Sequence, residues 1–126
     1  MNTTYPKIKS MSPLFVVADL EASVGFYISE LGFKIYFVYE DFYAAIIRDG
    51  FTLHLKSGTP NNEERLNRRE NEDLDIVFTV ENIEELFEAV KSRSAIIVQP
   101  LREMPYGREF YIADPDGYIL GFVGEK

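Results

Sequence analysis

Cysteine and tryptophan are absent from this chain of 126 residues, and histidine occurs once, at His54. Without cysteine there are no disulfides, no thiolate metal sites and no cysteine nucleophile. There is no Ser/His/Asp triad signature and no glycine loop of the phosphate-binding kind; Gly107 and Gly117 read as turn glycines. No apolar run approaches the roughly 18 residues that a membrane-spanning helix needs, so no membrane partner is expected. The first seven residues hold no apolar stretch of the secretory kind, and a cytoplasmic location is expected. Basic residues are also scarce: 13 Lys and Arg stand against 21 Asp and Glu, a net charge of −8. Phosphate binding needs clustered Lys and Arg, so nucleic acid is a poor partner. A cationic small molecule is the better electrostatic match.

What the chain does have is aromatic surface and internal repetition. Eight Tyr and ten Phe can fill a core or line a pocket for a flat ligand. In the C-terminal part, two apolar stretches, 109–113 and 118–123, flank Asp114-Pro115-Asp116-Gly117. Pro fixes one φ and Gly supplies a positive one, so the segment reads as a strand, a tight turn and a strand. Residues 46–55 hold a weaker copy, two apolar strands about Asp49-Gly50. Upstream, Val17, Asp19, Leu20 and Glu21 align with Val80, Asn82, Ile83 and Glu84, an offset close to half the chain. A unit of this length used twice points to two fused modules.

Each module opens with a strand, over 13–18 and 74–80, and continues into a helix. Asp19 and Asn82 are expected N-caps, their side-chain oxygens accepting from backbone N–H groups. Leu20, Val24, Tyr27 and Leu31 form one apolar stripe; Ile83, Leu86, Phe87 and Val90 form the other. Gly32 stands where a left-handed residue ends the first helix. Three strands then follow in each module: 33–39, 43–48 and 51–56, then 96–99, 109–113 and 118–123. The pattern is βαβββ twice, an α+β fold with modules over 12–57 and 74–124. Residues 58–73 are polar and mixed in charge, and read as a solvated linker. A chain of this length is expected to be one domain.

This duplicated unit resembles the vicinal oxygen chelate superfamily, which includes glyoxalase I, extradiol dioxygenases and the fosfomycin- and bleomycin-resistance proteins. The likeness is strongest to the bleomycin-resistance proteins. It rests on Val17-Ala18-Asp19-Leu20, Phe26-Tyr27, Leu31-Gly32-Phe33, Asp41-Phe42, Arg48-Asp49, Pro105-Tyr106-Gly107-Arg108-Glu109-Phe110 and Asp114-Pro115-Asp116-Gly117. The resemblance implies curved mixed sheets forming half-barrels, paired in a homodimer, with ligand clefts where half-barrels face each other. It also implies an N-terminal strand that crosses to the partner near a proline, which Pro13 matches.

The superfamily's enzymes hold a metal at four equivalent positions, which correspond here to Ser12, His54, Asp75 and Gly121. Glycine has no ligating side chain and Ser is a poor ligand for a divalent transition ion. No metal and no cofactor are therefore expected. His54 alternates with Leu53 and Leu55, so if the Leu pair faces the helices, His54 faces the cleft. His54 and Asp75 could form a general base, or could hydrogen-bond a ligand. By resemblance, Tyr106 stacks on a flat ligand from one side, and Phe42 or Tyr43 from the other. Glu40, Asp41 and Glu103 could attract a cationic tail. Arg108 and Glu109 are expected to hold their loop onto the sheet, and Asp114 and Asp116 to serve the turn. The leading expectation is a metal-free homodimer that sequesters an aromatic, cationic antibiotic of bleomycin type. The alternatives are a glyoxalase-type enzyme using His54 and Asp75, and a binder of an unrelated small molecule.

Overall fold

The computed structural model describes residues 4–125. The order of elements is β1 (Leu14–Val17), α1 (Leu20–Leu31), β2 (Lys34–Tyr39), β3 (Tyr43–Arg48), β4 (Phe51–Ser57), α2 (Asn62–Glu70), β5 (Ile76–Thr79), α3 (Ile83–Lys91), β6 (Ile96–Met104), β7 (Gly107–Ala113) and β8 (Ile119–Gly124). They make two four-stranded mixed sheets of the same topology, β1-β4-β3-β2 and β5-β8-β7-β6. In each, the first strand runs parallel to the last and the other pairs are antiparallel. The duplicated βαβββ pattern and the α+β class are thus borne out.

The apolar stripes explain where the helices pack. Tyr27 and Leu31 of α1 are buried, with Leu20 and Val24 packed against the same core; Ile83, Phe87 and Val90 do the same for α3. The strands contribute alternate residues, Phe15 and Val17, Leu53 and Leu55, Phe110 and Ile112, Leu120 and Phe122. One core cluster runs through both halves, with Phe33 and Phe78 meeting at 6.4 Å between ring centroids. Burying each such side chain contributes about 1.5–3 kcal/mol.

Local chemistry fixes the joints. Asp19 Oδ1 accepts from the Ala22 N–H at 3.0 Å, and Gly32 ends α1 at φ 73°. Asp49 and Gly50 both have positive φ, 52° and 84°, which a two-residue hairpin turn of the mirror-image type requires. Asn82 departs from expectation. It adopts a left-handed φ of 50° and its side chain makes no capping bond. Asn tolerates that conformation better than most residues, so it serves the sharp entry into α3, while Glu84 and Glu85 meet the helix N-terminus.

The polar stretch between the halves also differs from a solvated linker, because it holds α2. Asn61 Oδ1 caps the helix through the Glu64 N–H at 3.0 Å. Glu63 and Glu64 lie in its first turn and Arg68 and Arg69 in its last, both favourable to the helix dipole. None of its residues is buried. β6 runs on to Met104, past Pro100, with register shifts either side of Gln99. As an edge strand it tolerates a residue without an N–H.

Candidate functional site

With one face of each sheet against its helix, the other is left open, and the strand register shows what occupies it. Leu14, His54, Ala45 and Phe37 form a row across the first sheet; Val16, Lys56, Tyr43 and Tyr39 form the next. Cross-strand partners share a face, so these residues lie opposite the buried Leu53 and Leu55. His54 therefore faces away from the helices, as the alternation predicted.

Rings close around it. Phe37 meets His54 edge-on at 5.8 Å and lies nearly parallel to Tyr43 at 6.3 Å. The Tyr43 hydroxyl lies 2.6 Å from His54 Nδ1. A phenol is the better donor and an imidazole nitrogen the better acceptor. In that arrangement Nε2 carries the proton and is left to donate. Phe42 stands in the β2–β3 turn, edge-on to Tyr39 at 5.5 Å. Tyr43 thus joins His54 directly, and Phe42 joins the neighbouring pair. Phe37 and Tyr39 were not singled out in the sequence, although their two-residue spacing places them on one face of β2.

On the second sheet the open face carries Glu109, paired across to Arg102 on one side and Val123 on the other. Glu109 is only 2% exposed. Its Oε2 accepts from Arg102 Nε at 2.8 Å and Nη2 at 2.6 Å, and from the Tyr111 hydroxyl at 2.9 Å. Its Oε1 accepts from the Tyr106 hydroxyl. Burial pushes the Glu109 carboxyl up, but the hydrogen bonds from Tyr106, Arg102 and Tyr111 outweigh it and hold the group below its ordinary range. The bond to Glu109 raises the Tyr106 phenol to about 12. Tyr106 as a whole residue is 60% exposed. Glu109 was expected to clamp the loop; it holds a tyrosine within it. Arg108 reaches Glu84 beside α3 at 3.2 Å.

Asp75, just ahead of β5, is held by its own chain. Oδ2 accepts from Arg65 Nη1 at 2.9 Å and from the Ile119 N–H at 2.8 Å, and Oδ1 lies 3.0 Å from Arg68 Nε. The Arg65 guanidinium also sits 4.3 Å over the Tyr118 ring. Both arginines come from α2, the helix the sequence did not disclose. His54 and Asp75 are thus engaged separately, one with Tyr43 and one with α2, and the structure does not join them as a general base.

The four positions that correspond to the superfamily's metal site do not fit a divalent ion. Ser12 is hydrogen-bonded to Thr52, and Asp75 is ion-paired twice. At Gly121 even a Cβ would come 2.8 Å from the Leu74 side chain, which fills that place. Among the described residues no group of three or more His, Asp or Glu is placed to hold a metal.

A cleft of about 870 Å³ lies elsewhere, between the β3–β4 turn and β5, lined by Phe33, Phe51, Val77 and Phe78 among others. None of Phe42, Tyr43, His54, Asp75 or Tyr106 lines it. Pro13 lies at its edge, and the Pro13 carbonyl accepts from the His54 N–H at 3.0 Å, so β1 pairs with β4 of its own chain. No helix among the described residues is long and apolar enough to cross a membrane.

Solved structures share this fold along nearly the whole chain. The bleomycin-binding protein of bleomycin-producing Streptomyces verticillus, complexed with copper(II)-bleomycin, superposes with a TM-score of 0.71 at 22% identity, covering 97% of this chain and 100% of that one. TnmS3, an antibiotic binding protein from Streptomyces sp. CB03234, gives a TM-score of 0.74 at 16% identity, covering 99% and 100%. A hypothetical protein of S. aureus gives 0.70 at 27% identity, covering 94% and 99%. Among curated proteins none matches the chain by sequence. The family model of the Glyoxalase/Bleomycin resistance protein/Dioxygenase superfamily matches residues 9–122, and with its duplicated sheets the chain belongs to that superfamily.

Proposed function

We propose that this protein is a metal-free, cytoplasmic homodimer that binds and sequesters an aromatic, cationic small molecule of bleomycin type, without turnover. The observation that carries this reading is the set of organised rings on the two open faces. Phe37 and Tyr43 flank His54 on one sheet, with Tyr39 across from Tyr43, and Tyr106 stands exposed on the other. Flat heteroaromatic ligands gain about 1–3 kcal/mol per stacked ring, by analogy with base stacking. The net charge of −8 favours a cationic ligand, and Glu40 and Asp41 are exposed beside Phe42. Among structural neighbours, the Streptomyces verticillus protein binds bleomycin and TnmS3 is an antibiotic binding protein. Support for the homodimer comes from β2, whose six residues are all exposed although it carries Ile35, Phe37, Val38 and Tyr39. The engagement of Asp75 by Arg65 and Arg68 argues against the glyoxalase-type alternative.

Titration of metal-free bleomycin into the protein, followed by calorimetry, tests the proposal. Saturable binding at one ligand per subunit or per two subunits is expected, and Tyr106→Ala should weaken it at least about tenfold. An absence of heat at high micromolar protein would sink the sequestration reading.

A further inference from the structure

We propose that Glu109 is a positioning residue for ligand recognition: its buried carboxylate ties down the Tyr106 hydroxyl and so presets the ring as a rigid stacking face. This rests on the reading that Tyr106 meets the ligand, and adds to it how the ring is held and what it can recognise.

A tyrosine in an exposed turn ordinarily samples several rotamers and loses that freedom on binding. Tyr106 lies in the β6–β7 turn and is mostly exposed, yet it is fixed at both ends. At the backbone end, Gly107 has φ 145°, and a Cβ there would come 2.3 Å from the Gly124 carbonyl oxygen, so the turn is pressed against β8. At the far end the hydroxyl donates to Glu109 Oε1.

The carboxylate is built for that task. A buried carboxylate is strongly penalised unless donors surround it. Arg102 and Tyr111 supply three bonds, and all three fall on Oε2. Oε1 is left for Tyr106. Arg102 and Tyr111 hold the carboxylate by bonds of their own, so the tether has a fixed anchor. This division of labour has a consequence for specificity. With its hydroxyl proton engaged, Tyr106 has no donor left for a ligand and offers chiefly its ring face. The ligand group it selects is therefore a flat π surface rather than a polar one.

The test uses Tyr106→Phe, which keeps the ring and removes the tether, Glu109→Gln, and the double variant. Affinity for metal-free bleomycin is measured by calorimetry, and the Tyr106 phenol is followed by NMR of tyrosine carrying ¹³C at Cζ. Losing one preset rotamer-rich side chain weakens binding by about three- to tenfold. Tyr106→Phe should show that loss, Glu109→Gln, whose amide can still hydrogen-bond the phenol, at most the same loss, and the double variant no more than Tyr106→Phe alone. Glu109→Gln should also bring the Tyr106 titration down from about 12 toward the ordinary 10. If Glu109→Gln fails to fold, Tyr106→Phe alone still reads the tether. A wild-type Tyr106 that titrates near 10 overturns the proposal outright. So does full affinity in Tyr106→Phe when Tyr106→Ala binds weakly, because orientation then contributes nothing. If the tether titrates as expected but Tyr106→Ala binds like wild type, the ring is not in the ligand site. In that case the positioning role falls together with that part of the sequestration reading.

Discussion

At the scale of single residues, the group most exposed to change with pH is Asp114. Its position in the turn sequence is that of an ordinary turn aspartate, but the carboxyl is buried. Oδ1 accepts the N–H groups of Asp116 and Tyr118, each at 2.9 Å, and Oδ2 accepts the Tyr27 hydroxyl at 2.8 Å. Burial outweighs these bonds and raises the group from 3.8 to about 6. The folded state therefore holds this proton more tightly than the unfolded state does. The contribution to stability is fully present below about pH 4 and is lost as pH rises through about 6. At 1.36 kcal/mol per pKa unit the loss is about 3 kcal/mol. Asp114→Asn removes the titration while keeping an acceptor for the two backbone N–H groups. Its stability relative to wild type, measured by urea unfolding, should rise by about 2–3 kcal/mol between pH 4 and pH 8. Parallel pH curves for the two proteins would show that Asp114 does not titrate in this window. Glu109 works in the opposite sense, since its carboxyl is held low and its contribution fades only on acidification. The two buried carboxylates of the second half thus have opposite pH dependences, one set by burial and one by surrounding donors.

At the scale of elements, α2 is the unusual member. It buries no residue, and its attachment runs through Arg65 and Arg68 to Asp75, through Arg68 Nη2 to the Leu74 carbonyl at 2.7 Å, and through Arg65 over Tyr118. A cavity of about 450 Å³ lies beside it, lined by Leu66, Arg69, Glu70, Glu72, Ile97 and Val98. A helix of nine residues is too short to persist alone, so its order depends on that ionic latch. Asp75→Asn keeps an oxygen for the Ile119 N–H and removes the charge that both arginines share. Amide exchange over 62–70 should speed up by about tenfold or more, corresponding to the 1.5–3 kcal/mol of a charged hydrogen bond, while β7 and β8 stay protected. Unchanged exchange would mean that α2 is held otherwise. The latch also explains what the sequence disclosed and what it did not. α1 and α3 were legible because apolar stripes bind them to their sheets. α2 was not, because its single large apolar residue, Leu66, stays exposed and charges bind the helix. Its cap at Asn61 and its acid-to-base polarity were present in the sequence but carry no tertiary address. At the site, alternation placed His54 on the open face. The Tyr106–Glu109 contact was hidden because it depends on Arg102, seven residues upstream, being the cross-strand partner, and register shifts in β6 obscure that pairing.

At the scale of the whole molecule, the two halves share a topology but not an environment. The second turn reaches into the first half: Asp116 accepts from the Ala18 N–H at 2.8 Å and the Ser23 hydroxyl at 3.1 Å. The Tyr118 hydroxyl brackets Val16, accepting from its N–H at 3.1 Å and donating to its carbonyl at 2.8 Å. The corresponding turn of the first half, Asp49-Gly50, is exposed. The outer edge of that first half is also the less covered. β2 is an edge strand, and the bulge at Tyr36 keeps Ile35 opposite Ile46 while Phe37 lies opposite Ala45. Apolar side chains thus stand exposed on both of its faces. A ligand stacked on Phe37 and Tyr39 covers one face only, whereas Ile35 and Val38 lie on the helix side, 53% exposed each. An apolar edge strand left bare invites association, and a protein partner is the occupant that can cover both faces together. For the proposed homodimer, Val38→Lys places a charge on the face a ligand cannot reach. Sedimentation should give twice the 14.5 kDa chain mass for wild type and the single mass for the variant. If the clefts need both copies, bleomycin affinity should be lost together with dimerisation and recover as the variant is concentrated. Should the variant bind as wild type does while sedimenting as a monomer, each chain carries a complete site, and the exposure of β2 would need a different partner to explain it.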